Sequence, residues 1–464
     1  MIKGSTSFIF VTLFSLSALA IRPDLKTLPI GLAPSEQNIQ IRGESPSAPP
    51  ISGVIHSLGE WEESREAMTL WPNKSWIRAL SDNGKVRLLA DSNSDQKWWQ
   101  EWITDAGINE SAISYFVVKT DSLWVRDYGP WYIVDSKGQF GIVDNIYNRP
   151  RPNDDKVPEF ISKALSLPLY KTGLTHTGGN YYSDGSGNAF SSTLVFTENT
   201  NLQKDGVLKR MLDFLGIERY ATSPLSPNIT IEHLDTFGKL VSPDTWVFSQ
   251  FPANSKHYKS SEDMVALLKT LRSPYGTPYK IFRMKMTKLP QNSGEQYRAY
   301  INSFISNGVL YFPSYGDEVD KEVTTIYQQA LPSYKIVGVD AEETEWGDSV
   351  HCRSRNLINW NTVFIFPYIP QKSLMAGEPI LVTARIYPSP GKQIKNASVV
   401  WKVNGSDERV IPLTESNLHE FSATLPAQTR GAQLSLYFVA EDTNGVKKTS
   451  PIRAPSMTIN AVIE

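Results

Sequence analysis

Residues 131–143 read WYIVDSKGQFGIV and contain two strand-like runs, 131–134 and 140–143, on either side of a polar turn. Both runs are rich in aromatic and β-branched side chains, which favour strands. A helix-like segment at 159–165 follows them. Strands that alternate with helical segments are typical of α/β domains, so this stretch indicates the fold class.

The same alternation extends from His56 to about Pro370. Further strands are predicted at 115–118, 309–312 and 363–367. Further helices are predicted at 95–106, 206–215, 260–271 and 321–330. Residues 54–370 are therefore predicted to form one α/β domain.

The pattern of the sequence changes after residue 370. Short strands are predicted at 380–386, 397–403, 421–425 and 434–440. Turn residues such as Asn404-Gly405 and Asn444-Gly445 separate them. This pattern predicts an immunoglobulin-like β-sandwich over 371–464, with Trp401 in its core. A module of this class is more often a structural support or an adhesion domain than a catalyst.

The first twenty residues have the features of a secretory signal peptide. A basic start at Lys3 precedes an apolar run at 8–19, and Ala18-Leu19-Ala20 provides a cleavage site. That run is too short for a membrane span, and no later stretch reaches the roughly 18 apolar residues that a span needs. We therefore expect a secreted protein. Residues 21–53 are predicted to be a pro-segment or an extended N-terminal arm.

The composition excludes some classes of function. The formal net charge of -2 argues against a protein that binds nucleic acid or anionic membranes, because such proteins carry an excess of basic residues. With 464 residues, 40% of them hydrophobic, the chain is long enough to bury a substantial core in two or three domains.

The chain contains a single cysteine, Cys352, although exported proteins usually carry cysteines in pairs. It is therefore an intermolecular link, a buried inert thiol or a reactive nucleophile. Polar residues precede it, His351 is adjacent, and Arg353 and Arg355 follow. Because cationic neighbours lower the pKa of a thiol and favour the thiolate, the sequence favours a nucleophile.

Two further segments place acids next to bases. On an extended strand His233 and Asp235 would share one face, where an imidazole could move protons while a carboxylate holds a cation. A metal-ligand pair or a solvated strand face would show the same spacing. Asp127 lies between Trp124 and Trp131, so it could anchor a substrate cation against the Trp124 ring. A structural ion pair among core aromatic residues is the alternative there.

Taken in order, these segments resemble the guanidine-modifying deiminases, and in particular the Porphyromonas-type peptidylarginine deiminases, whose nearest relatives are agmatine deiminases. The resemblance covers about residues 55–370. Its motifs are Trp124-x-Arg126-Asp127-x-Gly129-Pro130, Gly178-Gly179-Asn180, His233-x-Asp235, Tyr300-x-Asn302, Asn307-Gly308, Pro313-x-Tyr315-Gly316-Asp317 and His351-Cys352. No single motif is specific, whereas the ordered set is.

The resemblance implies a five-bladed α/β propeller, or pentein, with the active site in its central channel. It implies that Cys352 is the nucleophile, His233 the general acid and base, and Asn302 a positioning group. Asp127 and Asp235 would clamp the guanidinium. The implied reaction passes through a covalent thiouronium on Cys352 and requires neither a metal nor an organic cofactor. The implied substrate-binding residues are Asp127, Asp235, Trp124, Ile231, Arg149 and Arg151.

The choice of substrate depends on the loop NRPRPNDD at 148–155. It resembles the segment with which Porphyromonas-type enzymes bind the carboxylate of a C-terminal arginine, and two guanidiniums suit a carboxylate. We therefore expect peptides and proteins with arginine, chiefly at the C-terminus, to be converted to citrulline, with free arginine as a further substrate. In the alternative, Arg149 and Arg151 belong to an exposed loop and pair with Asp154 and Asp155.

Three other functions remain open at this stage. An agmatine deiminase would share the catalytic residues but would have no use for a carboxylate clamp. A cysteine peptidase could use Cys352, His233 and Asn302 but would not need two aspartates directed at a cation. A non-catalytic adhesion protein would rely on the β-sandwich alone.

Overall fold

The computed structural model describes residues 27–41, 43–50, 53–224, 231–289, 296–340, 344, 348–370 and 374–464. The predicted signal peptide, 1–20, lies outside these residues, as does the start of the predicted arm. None of the helices in the described part of the chain combines the length and the apolarity that a membrane span requires.

The described residues contain the α-helices α1 Lys74–Ser81, α2 Asn93–Asp105, α3 Val125–Tyr128, α4 Val157–Leu165, α5 Leu194–Thr197, α6 Gln203–Leu215, α7 Tyr258–Thr270 and α8 Val319–Ala330. All five predicted helices are confirmed, and each begins two or three residues before its predicted start. The first turn of a helix is largely polar and exposed, so the apolar period does not reveal it.

The first seventeen strands are β1 His56–Ser57, β2 Ser64–Thr69, β3 Val86–Ala90, β4 Ile113–Val117, β5 Trp131–Val134, β6 Phe140–Ile146, β7 Leu169–Thr175, β8 Tyr182–Ser183, β9 Asn188–Ser192, β10 Arg219–Ser223, β11 Gly238–Ser242, β12 Thr245–Gln250, β13 Lys280–Lys285, β14 Phe304–Ser306, β15 Val309–Ser314, β16 Lys335–Asp340 and β17 Ser354–Ile358. In the described part of 53–370 they form five small sheets, with the strand orders β1-β5-β6-β7, β17-β2-β3-β4, β10-β9-β8, β11-β12-β13 and β14-β15-β16.

One unit recurs in these sheets: an antiparallel pair of strands, then a helix, then a strand parallel to the second. In one sheet β11 and β12 are antiparallel, α7 follows, and β13 returns parallel to β12. In another, β14, β15, α8 and β16 repeat the pattern. Helices that connect parallel strands cover the sheets, which explains why β5 is buried at every residue. The α/β class is confirmed, whereas the propeller arrangement of the sheets stays a prediction.

Strand β17 completes the sheet that contains β2. It comes from the far end of the α/β region, yet it pairs antiparallel with β2, with Ser354 opposite Thr69. The turn that leads into β17 contains Cys352. The pairing therefore fixes the position of the cysteine relative to the first strands of the region.

The remaining strands are β18 Phe364–Tyr368, β19 Ile380–Tyr387, β20 Ile394–Val403, β21 Arg409–Pro412, β22 Thr414–Asn417, β23 Glu420–Leu425, β24 Gln433–Asp442, β25 Lys447–Ser450 and β26 Ile459–Val462. They form two antiparallel sheets, β18-β19-β23-β22 and β21-β20-β24-β25 with β26 on β24. Trp401 is 2% exposed in the cluster that these strands bury, as predicted. β18 pairs with β19, so a strand predicted within 54–370 belongs to a C-terminal sheet. The immunoglobulin-like topology stays a prediction.

Candidate active site

Cys352 lies in the turn before β17, and its side chain is completely buried. The Asn302 side chain binds this turn at two points. Its Nδ2 donates to Cys352 Sγ at 3.2 Å. Its Oδ1 accepts from the backbone N–H groups of His351, at 3.2 Å, and Cys352, at 3.3 Å. Asn302 therefore positions both the thiol and the backbone that carries it.

The surroundings of the thiol are acidic. Cys352 Sγ lies 3.6 Å from Asp235 Oδ2. Burial raises the pKa of the Cys352 thiol well above its usual value, and the negative charges of Asp235 and Asp127 raise this pKa further. In the structure without substrate the sulfur is therefore a neutral thiol.

The expectation that Arg353 and Arg355 lower this pKa is wrong. The Arg353 guanidinium pairs with Asp348 at 2.5 Å and stacks over the Trp71 ring at 4.2 Å. Arg355 Nε donates to the Pro130 carbonyl at 2.8 Å. Both arginines are sequence neighbours of the cysteine, but their guanidinium groups bind other residues.

The His233 and Asp235 side chains reach the same site as Cys352, but they do not lie on the strand that was predicted for them. Leu234–Thr236 form a 3-10 turn with His233 at its start, so the strand prediction is wrong here. Both side chains are nevertheless fully buried. Glu232 has a φ of 49°, in the left-handed region, and this reverses the chain immediately before His233. Ile231, from the predicted substrate-binding set, is buried in the same hydrophobic cluster as Leu234.

Asp127 approaches from α3. Its Oδ1 accepts from the Gly179 N–H at 3.2 Å and from Thr177 Oγ1 at 3.3 Å, and it lies 3.5 Å from His233 Nδ1. Burial, assisted by the charge of Asp235, raises the pKa of Asp127 to about 7. Burial lowers the pKa of His233 to about 3, so this imidazole is neutral and able to accept a proton.

Gly179 lies directly against these groups. A Cβ atom at this position would lie 2.7 Å from Asp127 Oδ1, 2.7 Å from His233 Nδ1 and 3.1 Å from Asp235 Oδ2, too close for any side chain. Two carboxylates and an imidazole therefore converge at Gly179, and the thiol lies beside one of the carboxylates. A flat cation rich in N–H donors matches this arrangement. Among the described residues no group of three or more His, Cys, Asp and Glu side chains could hold a metal ion.

A buried network behind the site was not predicted. His351 Nδ1 lies 2.7 Å from Asp235 Oδ2, and His351 Nε2 lies 2.9 Å from Glu60 Oε2. Glu60 in turn pairs with Arg126 and with Lys239, each at 2.5 Å. The imidazole is thus fixed between two carboxylates, and two buried cations balance their charge. Burial and the charges of Arg126 and Lys239 lower the pKa of His351.

Glu60 carries no local signal in the sequence. Its contact with His351 spans 291 positions, and neither Gly59 nor Trp61 suggests a function for it. The one hint in the sequence that an acidic partner exists is Arg126, in the Trp124–Pro130 motif. A buried guanidinium needs a counter-charge, and Asp127 is not the residue that provides it.

The predicted carboxylate-binding residues bind another part of the chain. Arg151 pairs with Glu36 at 2.8 Å, and Arg149 Nε donates to the Ile30 carbonyl at 3.2 Å. Trp124 Nε1 donates to the carbonyl of Leu28 at 3.2 Å. All three predicted residues are therefore in contact with the segment that precedes the α/β region.

The alternative of an exposed arginine loop is wrong. Arg149 is 9% exposed and Arg151 is 2% exposed. Asp154 accepts from Ser122 Oγ at 2.6 Å, and Asp155 accepts from the backbone N–H of Tyr147 at 2.7 Å. Both aspartates thus hold the loop itself, and the arginines project away from them to other partners.

Comparison with known proteins identifies the family. Residues 56–357 match the sequence model of the Porphyromonas-type peptidyl-arginine deiminase family, and this range is more than half of the chain. The chain belongs to this family. It is accordingly a deiminase of guanidino groups, a hydrolase that acts on their C–N bonds.

Individual relatives agree with this assignment. A protein of Streptococcus mutans classed as an agmatine deiminase is 24% identical over 345 residues, which are 63% of this chain and 93% of that protein. The structure of the agmatine deiminase of Enterococcus faecalis superposes with a TM-score of 0.57 at 20% identity and covers 67% of this chain and 99% of its own. The structure of the C. jejuni agmatine deiminase superposes with a TM-score of 0.55 at 23% identity, and the match covers 66% of this chain and 96% of that protein. At these identities the two structures establish a shared fold.

Proposed function

We propose that the chain converts arginine residues of peptides and proteins to citrulline, with release of ammonia. The observation that carries this proposal is the convergence of Asp127, His233 and Asp235 at Gly179, next to the Cys352 thiol. A guanidinium has a delocalised positive charge, so its central carbon resists attack until carboxylates hold and polarise it in a dry pocket. Two buried aspartates that converge on one site meet that requirement.

Binding of the substrate would activate the thiol. The charges of Asp235 and Asp127 contribute to the high pKa of Cys352 in the empty site. A guanidinium between the two carboxylates offsets part of their negative charge, which lowers the pKa of the thiol. The released proton passes to neutral His233, and the Asn302 amide donates a hydrogen bond to the sulfur anion.

The reaction then proceeds in two halves. The Cys352 thiolate attacks the guanidino carbon and forms an S–C bond, and the protonated His233 gives its proton to the departing nitrogen, which leaves as ammonia. The resulting thiouronium remains on Cys352. His233 next takes a proton from water, the hydroxide attacks the same carbon, and the C–S bond breaks. The ureido product leaves and the thiolate is restored.

Arginine in a peptide, favoured at the C-terminus, is the proposed substrate rather than agmatine. Arg151 supports this choice because it holds a carboxylate in two-point fashion, with Nε 2.8 Å from Glu36 Oε1 and Nη2 3.0 Å from Glu36 Oε2. A buried guanidinium that donates two hydrogen bonds to one carboxylate can bind the α-carboxylate of a C-terminal arginine in the same way. Agmatine has no carboxylate to offer it.

The test is a comparison of three substrates. The purified full chain is incubated with a C-terminal-arginine peptide, an internal-arginine peptide and agmatine, and citrulline, carbamoylputrescine and ammonia are measured. We expect citrulline from the peptides and none from the Cys352→Ala variant. Product from agmatine alone would favour the agmatine deiminase alternative. Cleaved peptide without ammonia would mean a peptidase.

We also propose that the protein is exported and that residues 1–20 are removed. The basic start, the apolar run and the A-x-A site in the sequence support this. N-terminal sequencing of protein recovered from the extracellular medium tests it, and an intact Met1 there would contradict it.

The five α/β sheets are proposed to be the blades of a pentein propeller around the site. The recurring unit of an antiparallel pair, a helix and a parallel strand supports this arrangement. So does the pairing of β17 with β2, which joins the two ends of the region in one sheet. The immunoglobulin-like topology is likewise proposed for the two C-terminal sheets.

A further inference from the structure

Residues 28–36, which we call the covering segment, bind the predicted carboxylate-binding residues directly. Four N–H···O contacts from the Arg151 side chain go to it. Two reach the Glu36 carboxylate, and two run from Nη2 to the carbonyls of Pro29, at 2.7 Å, and Gly31, at 2.9 Å. Arg149 Nε donates to the Ile30 carbonyl at 3.2 Å. The covering segment therefore occupies N–H donors of both arginines that a substrate carboxylate would need.

The covering segment also contacts Trp124 and the two hydrophobic clusters that carry residues of the site. The Leu28 carbonyl accepts from Trp124 Nε1. The Ile30 side chain packs against both large hydrophobic clusters of the α/β region. One cluster contains Trp124 and Cys352, and the other contains Ile231 next to the His233 turn. The segment is thus anchored by polar contacts at the arginines and by apolar contacts between the clusters.

Glu36 is held in place for its contact with Arg151. Pro34–Glu36 form a 3-10 turn, and Glu36 Oε2 also accepts from the Ala33 N–H at 2.7 Å. The carboxylate is 6% exposed. Burial by itself would raise the pKa of Glu36, but the hydrogen bonds from Arg151 and the Ala33 N–H, together with the charges of Arg151 and Arg149, lower it, so the group is ionised. A buried, ionised carboxylate on an arginine reproduces the contact that a C-terminal carboxylate would make.

A substrate cannot enter this site as it stands. Cys352, His233 and Asp235 are fully buried, and the donors of Arg151 are occupied. We propose that the covering segment is an intramolecular inhibitor that occupies the carboxylate-binding end of the substrate cleft with Glu36. Displacement of the segment opens the cleft to C-terminal arginine. This proposal rests on the proposed function, since it names how the same site is regulated.

The sequence after the covering segment offers a place for release. Residues 43–46 are exposed. The chain is tied to the body again just beyond, where Glu44 pairs with Lys171 at 2.6 Å and the Ser47 N–H donates to the Lys171 carbonyl at 2.9 Å. A cut in the exposed stretch would separate the covering segment from the α/β region, leaving only its own contacts to hold it.

Substitutions in the full chain test the proposal. Glu36→Lys places a like charge against Arg151, and Glu36→Gln removes the charge with little change of shape. Glu44→Gln is the matched control, because it removes an ion pair that lies beyond the covering segment and away from Arg149 and Arg151. We expect Glu36→Lys to raise kcat/KM for a C-terminal-arginine peptide about tenfold or more, chiefly through KM, since the competent state becomes more populated. Glu36→Gln should give a smaller rise, and Glu44→Gln should stay within about twofold.

The same peptide with an amidated C-terminus separates the carboxylate effect from general access. Its gain in the Glu36→Lys variant should be smaller than the gain of the free acid. A site-specific protease sequence inserted between Gly43 and Glu44 provides an independent route, and cleavage should raise activity on the free acid in the same way. If neither Glu36→Lys nor cleavage changes activity beyond the Glu44→Gln control, the covering segment is not an inhibitor.

Binding separates this proposal from the proposed function. In a Cys352→Ala background, calorimetry with the C-terminal-arginine peptide should show tighter binding when Glu36→Lys is added. Tighter binding without citrulline formation in the Cys352 enzyme would uphold the covering segment and overturn the proposed reaction. Citrulline formation together with unchanged binding would overturn the covering segment alone.

Discussion

At the scale of single residues, the lack of a side chain at Gly179 lets Asp127, His233 and Asp235 converge. Gly179→Ala would place a methyl group 2.7 Å from Asp127 Oδ1 and from His233 Nδ1. We expect kcat/KM for arginine peptides to fall about 100-fold or more, because displacing a bound reactant by about 1 Å can cost that much. Steady-state kinetics measure the loss, and the melting temperature checks the fold.

Gly84→Ala is the control for this substitution. The nearest atom to a Cβ at Gly84 is 4.0 Å away, and the position is remote from the site in sequence and contacts. It should leave kcat/KM within about twofold, as surface changes usually do. If Gly179→Ala left kcat/KM equally unchanged, the cluster of Asp127, His233 and Asp235 at Gly179 would not be the guanidinium site.

The Asp127 carboxyl should set the pH dependence of the reaction. Burial and the charge of Asp235 raise its pKa to about 7, so below that pH the carboxyl is neutral and holds a cation poorly. We expect kcat/KM to fall as the pH decreases through about 7. Asp127→Asn should remove this inflection along with most of the activity.

Glu198 provides the comparison for the pH profile. Its pKa is also raised to about 7 by burial, yet it binds the Asn148 amide and none of the catalytic groups. Glu198→Gln should therefore keep the inflection. If the inflection is lost in Glu198→Gln and retained in Asp127→Asn, the group that titrates near pH 7 is Glu198 and not Asp127.

The residue scale also shows where sequence reasoning fails. The sequence predicts a nucleophile at Cys352, and the structure places its buried thiol beside Asp235 and Asn302, but the predicted effect of Arg353 and Arg355 on its pKa has the wrong sign. Adjacency in a turn does not give the direction of a side chain. The charges that reach the sulfur come from Asp235 and Asp127, which lie far away in the sequence.

At the scale of elements, the 299–303 loop holds the cysteine turn through Asn302. Asn302→Asp keeps the oxygen that accepts from the backbone of His351 and Cys352, but it replaces the Nδ2 donor with a negative charge beside the sulfur. We expect kcat to fall about 100-fold or more, since a donor to a developing anion is worth that much. The melting temperature should change little.

Asn302→Ala tests the other half of this contact. It leaves two buried backbone N–H groups without their acceptor, at a cost of about 1–3 kcal/mol each. We therefore expect this variant to lose both activity and stability, whereas Asn302→Asp loses chiefly activity. Equal loss of stability in both variants would mean that the donor to Cys352 is structural. Denaturant unfolding and single-turnover kinetics measure the two effects.

Elements with a strong apolar period could be predicted, and irregular ones could not. Helices α2, α4, α6, α7 and α8 follow from the period of their buried faces. His233 and Asp235 were expected on a strand, because an alternating spacing cannot reveal a 3-10 turn that begins after a left-handed residue at Glu232. The side chains still meet, since the turn brings both into the site.

At the scale of the whole molecule, side-chain contacts between distant segments could not be predicted from the sequence. Glu60 reaches His351 across 291 positions, and Glu36 reaches Arg151 across 115. Neither contact leaves a local pattern, because each depends on the sheets that bring the segments together. The order of motifs along the chain sufficed to name the residues that the structure brings together near Cys352, whereas the buried network and the covering segment required coordinates.

The junction between the α/β region and the C-terminal sheets is the last feature of the whole molecule that can be tested. The His56 ring, on β1, stacks on the Phe366 ring, on β18, with centroids 3.9 Å apart and an angle of 3°. His56 Nδ1 also bonds the Gly185 carbonyl at 2.7 Å. Phe366 is 4% exposed and contacts Tyr387 as well. The stack thus joins strands from both parts of the chain.

Phe366→Ala should lower the free energy of unfolding by about 3–5 kcal/mol, because it leaves a cavity at this junction. Val462→Ala, at a position 59% exposed on β26, should change it by less than about 0.5 kcal/mol. Since the stack ties the two regions, we expect tryptophan fluorescence and far-UV circular dichroism to shift together in one denaturant transition. Activity on a small arginine substrate should persist below that transition, because Phe366 contacts none of the catalytic residues. If a separate early transition appears while the rest keeps its midpoint, the C-terminal sheets unfold independently and the stack does not couple them.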